Sequence, residues 1–363
     1  MSELDTKLQR IQDLLKQHQA DALLLNRVSS FAWATCGAAS YINTASTTGV
    51  GSLLITPTGR YLITDNIEAP RFEKEEKLAA QGWEFRTAVW HENNPAVTDL
   101  TRGLKLAADG PYPGAIDLSA EMAHLRANLL PEEDERYRVV SKACAEAMNA
   151  AIRSVRPGMT EYEIAALLDR ETFARSVQPT VNLIATDDRI YNFRHPLPTD
   201  KKMDKYAMLV LCGRKYGLVT SVTRLVYFGH LPDDLRRKMI GVANIDAVFI
   251  TATRPGRTLN QVFQRATEAY AMTGFPNEWH LHHQGGPAGY EPREWLATPA
   301  STERVATGQV YAWNPSITGA KSEDTILVGP NGNEVLTAMP DWPVLLVEAD
   351  GQNIPRPAIL EVN

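Results

Sequence analysis

A chain of 363 residues exceeds the usual size of one hydrophobic core, so two domains are the default expectation. Hydrophobic content of 44% and charged content of 22% are ordinary for a soluble globular protein, and a formal charge of −6 without basic clusters gives no electrostatic footprint for nucleic acid. The longest uninterrupted apolar stretch is about six residues, Ala207 to Cys212, against the roughly 18 that a membrane span requires, so no membrane segment is expected. The start, MSELDTKLQRIQ, has a charged or polar residue every two or three positions and no apolar signal region. Cys36, Cys144 and Cys212 are an odd count without metal-like spacing, which suits free thiols in a reducing cytosol. These features point to a cytoplasmic protein with a small-molecule partner.

The first 130 residues read as a separate α/β unit. Leu8, Ile11, Leu14 and Leu15 recur at helical spacing, and DALLL (21–25) follows as a buried strand. GSLLIT (51–56) and RYLITD (60–65) flank a Pro-Thr-Gly turn, so short apolar runs with turn residues between them predict a hairpin. NLLPEEDERYRVV (128–140) marks the join: a proline, an acidic first turn, then an amphipathic pattern continuing to Ile152. The boundary falls near Leu130, giving domains 1–130 and 131–363.

The second domain contains an internal echo. Arg156-Pro157-Gly158-Met159-Thr160 is followed by Glu163, and Arg254-Pro255-Gly256-Arg257-Thr258 by Gln261. Both are capping boxes, in which the threonine accepts a backbone N–H and the residue three later reaches back to the cap. Each opens a helical pattern, EYEIAALLDRETFA (161–174) and LNQVFQRATEAYAM (259–272), and the spacing of 98 residues suggests a pseudo-twofold α/β unit. The alternative is that Arg-Pro-Gly-x-Thr is simply a common way of joining helices. Between the two, YAMLVLCGRKYGLVTSVTRLVYFG (206–229) predicts two or three short strands.

The paired Arg-Pro-Gly helices, this strand segment, the histidine-rich loop HLHHQGGPAGYEP (280–292) and the closing SEDTILVGPNGNEVLT (322–337) stand in the order of the pita-bread fold. Residues 135–340 resemble the creatinase, prolidase and aminopeptidase P family, and the first 130 match its accompanying N-terminal domain more loosely. The fold class implied is α/β: a creatinase-type N-terminal α/β domain followed by a pita-bread, pseudo-twofold α+β domain. The resemblance also implies a metal cage, and here the cage is broken. The family's two metal-binding aspartates fall on Val210 and Ser221, and its Glu-Pro ligand falls on Asn314-Pro315. Only His283 and Glu323 remain of five ligands. Structural zinc takes four protein ligands and catalytic zinc about three plus water, so two survivors predict no metal and no other cofactor.

His195, in NFRHPLP (192–198), stands where the family's histidine faces the substrate. An unperturbed pKa near 6.5 lets a histidine activate water and then protonate a departing nitrogen. The alternative is a loop histidine packed on proline and phenylalanine. His280, His282 and His283 form a tempting cluster, but on an extended segment His280 and His282 share one face and His283 takes the other. Tyr290 puts a phenol where the family has a second histidine. Glu323, as a lone buried carboxylate, must be protonated or find a cation, supplied either by a basic substrate or by Lys321 two residues back on the same strand face. Ser221, Thr223 and Asn314 are neutral hydrogen-bonding groups for orienting substrate, and Arg194 is a candidate clamp for a substrate carboxylate or else an exposed loop arginine. Arg224 follows Thr223 in the family's Thr-Arg pattern, where it supports the site structurally, and Cys212 reads as a core residue of its strand.

Creatinase resembles this chain in lacking both metal aspartates and in working with a histidine at the place of His195. It grips its guanidinium with glutamates that align with Thr223 and Asn314, so creatine itself is not expected. The leading expectation is a metal-independent hydrolase of a C–N bond in a small nitrogen compound, with His195 as acid and base and Glu323, His283, Asn314, Ser221, Tyr290, Arg194 and Thr223 binding substrate. The alternative is a non-catalytic pita-bread protein that binds a peptide or metabolite. Relatives of this type imply a symmetric homodimer.

Overall fold

A computed structural model describes residues 1–363. The chain divides into two compact units, 1–127 and 128–363, a boundary three residues ahead of the expected one. No helix is long and apolar enough to cross a membrane.

The first unit is built on one six-stranded sheet. Its strands are β1 (Ala22–Arg27), β2 (Thr48–Thr56), β3 (Gly59–Asp65), β4 (Glu84–Ala88), β5 (Leu106–Ala108) and β6 (Ile116–Asp117), in the order β4-β3-β2-β1-β5-β6. Leu23, Leu24 and Leu25 are all fully buried, so both faces of β1 are covered, as expected for a continuous apolar run. β2 and β3 form the predicted hairpin, with Thr56 opposite Gly59 across the turn. The helix Glu3–Gln17 buries Lys7, Ile11, Leu14 and Leu15. Leu8 is only half-buried, and Lys7 extends the stripe in its place because Glu3 neutralises its ammonium at 2.7 Å.

The second unit opens with the helix Pro131–Ser154, whose proline in the first turn and three acidic residues suit the helix N-terminus. The helix Glu161–Phe173 follows, then β7 (Gln178–Thr186), β8 (Tyr206–Lys215) and β9 (Leu218–Phe228) as an antiparallel meander. The expected two or three short strands at 206–229 are two long ones. They turn at Tyr216 and Gly217, both in the left-handed region at φ 56° and 75°, which matches the twist of a tight hairpin. Both strands are buried on both faces. Ala207, Leu209, Leu211, Val222 and Val226 pack with the first helix pair, whereas Met208, Val210 and Leu225 face the opposite core.

That opposite core is closed by the second half of the unit. The helices Asp233–Ala252 and Leu259–Met272 pack over β10 (Gly285–Ala288), β11 (Val310–Trp313), the short pair β12 (Ser316–Ile317) and β13 (Ala320–Lys321), β14 (Asp324–Val328) and β15 (Asn333–Val335). A hairpin of β16 (Val344–Ala349) and β17 (Gln352–Pro357) follows, and β18 (Leu360–Val362) returns to lie parallel to β9.

The two Arg-Pro-Gly caps are structural equivalents, not a coincidence of wording. Gly158 N–H donates to Met203 O and Glu161 N–H to Lys201 O; Gly256 N–H donates to Val305 O and Leu259 N–H to Glu303 O. Thr160 forms an isolated antiparallel bridge with Lys202, and Thr258 forms one with Arg304. Each helix pair is thus stitched at its cap to the extended segment that leads into a sheet. The capping boxes differ in completeness: Glu163 N–H donates to Thr160 Oγ1 at 3.1 Å and Thr160 N–H returns to Glu163 Oε2 at 2.7 Å, whereas the Thr258 hydroxyl turns to Asn260. Thr160→Ala should therefore lower stability by about 1 kcal/mol, read as a lower urea midpoint at unchanged m-value. An unchanged midpoint would show that the strand contacts alone hold this cap.

Candidate active site

The register of β8 and β9 sets the site. Val210 lies opposite Thr223 and Cys212 opposite Ser221, and period-two alternation turns all four toward the second core. An isolated bridge from Thr223 to Glu323 sews β9 to the segment entering β14, with Thr223 N–H donating to Glu323 O at 3.2 Å. The Thr223 hydroxyl donates to Glu323 Oε2 at 2.5 Å. Arg224, one residue on, turns to the other face of this seam and binds Asp324 at 2.8 Å, the structural role expected of it.

Glu323 is 3% exposed and its carboxylate is fully engaged. Lys321 Nζ lies 2.8 Å from Oε2, and Arg293 Nη2 lies 3.0 Å from Oε1. Burial by itself would raise the Glu323 pKa, but the charges of Lys321 and Arg293 outweigh it and hold the pKa at about 2. Of the two cations considered from the sequence, Lys321 is the one in place, and Arg293 is a second that the sequence analysis missed. Its signal was charge balance. A cage of metals and carboxylates that loses its acidic ligands needs fewer positive charges but not none, and Arg293 stands three residues past Tyr290 in the same loop. Arg293 Nη1 also donates to Ser221 Oγ at 3.0 Å, so one guanidinium bridges two positions at which the resemblance places metal ligands.

Beside this ion cluster lie three imidazoles. Glu278–Leu281 is a 3₁₀ turn rather than a strand, so the expected alternation of His280, His282 and His283 does not hold. His280 stacks on Trp279, while His282 and His283 both turn to His195. His282 Nε2 and His195 Nε2 are 3.1 Å apart, and one ring nitrogen from each of the three histidines lies within 4.8 Å of the others. The segment brings two imidazoles together, as expected, but they are His282 and His283 rather than His280 and His282, and a third comes from the His195 loop. Burial lowers the pKa of all three, aided by the nearby cations: His195 falls below its usual value, His283 to about 4 and His282 to about 2. Gly285 shapes the exit from the turn. At φ 103° it holds a left-handed conformation, and a Cβ there would come within 2.1 Å of Ala312 O.

Two other expected site residues, Arg194 and Tyr290, are committed elsewhere. Arg194 is no free clamp: its Nη2 meets Glu278 Oε2 at 2.9 Å and Thr318 Oγ1 at 2.8 Å. The Tyr290 hydroxyl donates to Glu133 Oε1 at 2.6 Å, so the phenol is used in a buried contact with the helix Pro131–Ser154. Asn314 Oδ1 is buried without a hydrogen-bond partner, which leaves it available to a ligand donor. Cys212 is a buried core thiol, with Sγ 3.3 Å from Ser221 Oγ and burial raising its pKa.

A long-stranded meander and a second sheet joined at Glu323, flanked by repeated helix pairs, define a pita-bread hydrolase framework. The profile of metallopeptidase family M24 matches residues 135–330, and the chain belongs to that family. It is similar to an Xaa-Pro dipeptidase of Pyrococcus horikoshii, 22% identical over 364 residues that cover 93% of this chain and 98% of the relative. It is also 24% identical over 308 residues to the agropine synthesis cyclase of Rhizobium rhizogenes, covering 70% of this chain and 75% of that one. Among solved structures, an Xaa-Pro dipeptidase from Bacillus anthracis superposes with a TM-score of 0.79 at 18% identity, covering 99% and 100% of the two chains, which establishes the shared fold.

The metal cage that the family name implies does not fit these side chains. Val210 offers no donor atom, Ser221 Oγ is bonded to Arg293, and Glu323 is paired twice over. Divalent cations at those positions would lie against the ammonium of Lys321 and the guanidinium of Arg293.

Removing the central charge tests this description. Glu323→Gln strands two buried cations, so it should destabilise the fold by about 3–5 kcal/mol at pH 7. The folded-state pKa lies below the 4.5 of a free glutamate, so this stabilisation is complete above pH 4.5 and fades as pH falls toward about 2. Denaturant melts of both proteins from pH 7 to pH 3 should show the gap narrowing as the pH drops. A gap that is small at pH 7, or constant throughout, would contradict the ion cluster.

Proposed function

We propose that this chain is a hydrolase of a C–N bond in a small amide-like or dipeptide-like compound, with His195 moving the proton and no metal at the family's carboxylate positions. The observation that carries this reading is Arg293, whose guanidinium bridges Glu323 and Ser221 where metal ligands would stand. Family membership and the Xaa-Pro dipeptidase names among its relatives support hydrolysis of a dipeptide-like bond. The cyclase among them supports a substrate range wider than peptides.

The chemistry follows from the depressed imidazole pKa values. A His195 below its usual pKa is neutral at pH 7 and can accept a proton from water. In the working tautomer it donates its Nε2 proton to His282 across the 3.1 Å contact and keeps the Nδ1 lone pair for that water. The proton so gained is returned to the departing nitrogen. Lys321 and Arg293 present positive charge to the oxyanion of the tetrahedral state, the task a Lewis acid performs in a metallopeptidase. Glu323 has no charge left over for a basic substrate, so the expected substrate cation gives way to a neutral or anionic compound. Asn314 Oδ1 and the ring of His283 remain to orient it, while Thr223, Ser221, Tyr290 and Arg194 act through the frame around them.

The second reading, a binding protein without chemistry, rests on the same engagement of Glu323, Arg194 and Tyr290 by protein partners. A thermal-shift screen of small amides, dipeptides and carboxylates identifies a ligand, since stabilisation grows as RT ln(1 + [L]/Kd). On the compound it finds, turnover should survive prolonged chelation, and His195→Asn should lower kcat by about 10²–10⁴ with the melting temperature retained. Loss of activity on chelation, restored by Mn²⁺ or Mg²⁺, would overturn the metal-free reaction. Binding without turnover in the unaltered protein would leave the binding protein.

A further inference from the structure

The three imidazoles have a chemistry that the proton transfer does not exhaust. We propose that His195, His282 and His283 form a binding site for one borderline divalent cation of the Zn²⁺, Co²⁺ or Ni²⁺ type, sharing only His283 with the family's five-ligand cage, and that its occupancy silences the His195 reaction. The inference rests on that reaction only in its second half.

Geometry makes the case. Tetrahedral zinc holds nitrogen ligands at roughly 2.0–2.1 Å, which places two such nitrogens about 3.3 Å apart. His195 Nε2 and His282 Nε2 already stand at 3.1 Å, and the third ring brings a nitrogen within 4.8 Å of both. A shift of about 1.5 Å in the His283 ring completes a three-nitrogen face, and solvent at the exposed His195 loop supplies the fourth ligand. A second observation is independent of these distances. His282 is 8% exposed, yet its Nδ1 meets no hydrogen-bond partner, and the same holds for His283 Nδ1. No partner on the Nδ1 side fixes the tautomer or the swing of either ring, so each can turn a nitrogen toward a common ion.

Selectivity follows from the neighbours. The only carboxylate of the cluster, Glu323, is held by Lys321 and Arg293, so a hard cation such as Mg²⁺, Mn²⁺ or Ca²⁺ finds no anionic oxygen. Neutral imidazoles suit zinc, cobalt, nickel and copper instead. Burial keeps His282 and His283 unprotonated at neutral pH, so no proton has to be displaced. The two nearby cations oppose the ion's charge, which makes this an exchangeable site. Coordination at His195 Nε2 drives the ring proton to Nδ1 and so removes the lone pair that accepts a proton from water, and the bound ion and the hydrolysis exclude each other.

The test uses untagged, chelator-treated full-length protein titrated with Co²⁺ alone. Visible d–d absorption should saturate at one ion per chain, be abolished by Zn²⁺ and ignore Mg²⁺. His282→Ala and His283→Asn should each weaken Co²⁺ at least tenfold, since losing even an outer-shell partner of a metal ligand costs 10–100-fold. His280→Ala, whose ring stacks on Trp279 outside the group, should bind as the parent does. Titration without saturation, or equal binding by the His282 and His283 variants once circular dichroism has shown them folded, overturns the site. On a turned-over ligand, inhibition should rise in step with the Co²⁺ absorption. Inhibition that fails to track it, or an increase in turnover, overturns the silencing. A sound His195→Asn defect with no Co²⁺ binding would leave the hydrolase reading intact and remove only the metal site.

Discussion

A single buried carboxylate organises the centre of the second unit. Glu323 sits where β9 meets the entry to β14, and a charge taken out of water there costs several kcal/mol unless it is met. Lys321 meets it from two residues away, Arg293 from the loop after β10, and Thr223 from β9. These three contacts fasten a strand of the first half, a strand of the second half and the loop between them to one point. Arg293 then holds Ser221, so two of the positions at which the resemblance places metal ligands are tied to one guanidinium.

The same cations reach the histidines. Burial makes protonation of all three imidazoles harder, and the two cations beside them add to this. His195 and His282 are thereby kept neutral at pH 7, in hydrogen-bonding contact with each other. A deeper frame holds the arrangement rigid. Asp324, adjacent to Glu323, takes Arg224 at 2.8 Å and Arg356 at 2.5 Å, and Arg356 continues to Asp246 at 2.6 Å on the helix Asp233–Ala252. Glu323, Asp324 and Asp246 are each matched by a guanidinium, which offsets the cost of burying them.

Local pattern carried most of the architecture. The hairpin at 51–65, the proline-led helix at 131, the two Arg-Pro-Gly-x-Thr caps and the order of motifs across 135–340 can all be read off the chain, because turn residues, capping residues and apolar periodicity act within a few positions. The departures were also local in cause. Lys7 replaced Leu8 on a buried stripe through an ion pair one turn away, and a 3₁₀ turn at 278–281 broke the alternation assumed for the histidines.

The candidate site divides along the same line. The loss of acidic ligands at Val210, Ser221 and Asn314, the survival of His283 and Glu323, the candidacy of His195 and the pairing with Lys321 were legible, since each depends on residue identity in a recognisable segment or on the two-residue period of one strand. Arg293 on Glu323, Glu278 on Arg194, Glu133 on Tyr290 and the meeting of His282 with His195 were not, for their partners are 30, 84, 157 and 87 residues apart in the chain. Sequence fixes which charges and imidazoles a protein owns, through composition and short-range pattern. Which of them face one another is decided by the closing of two sheets and two helix pairs around a common core, where burial enforces pairing that no local window contains.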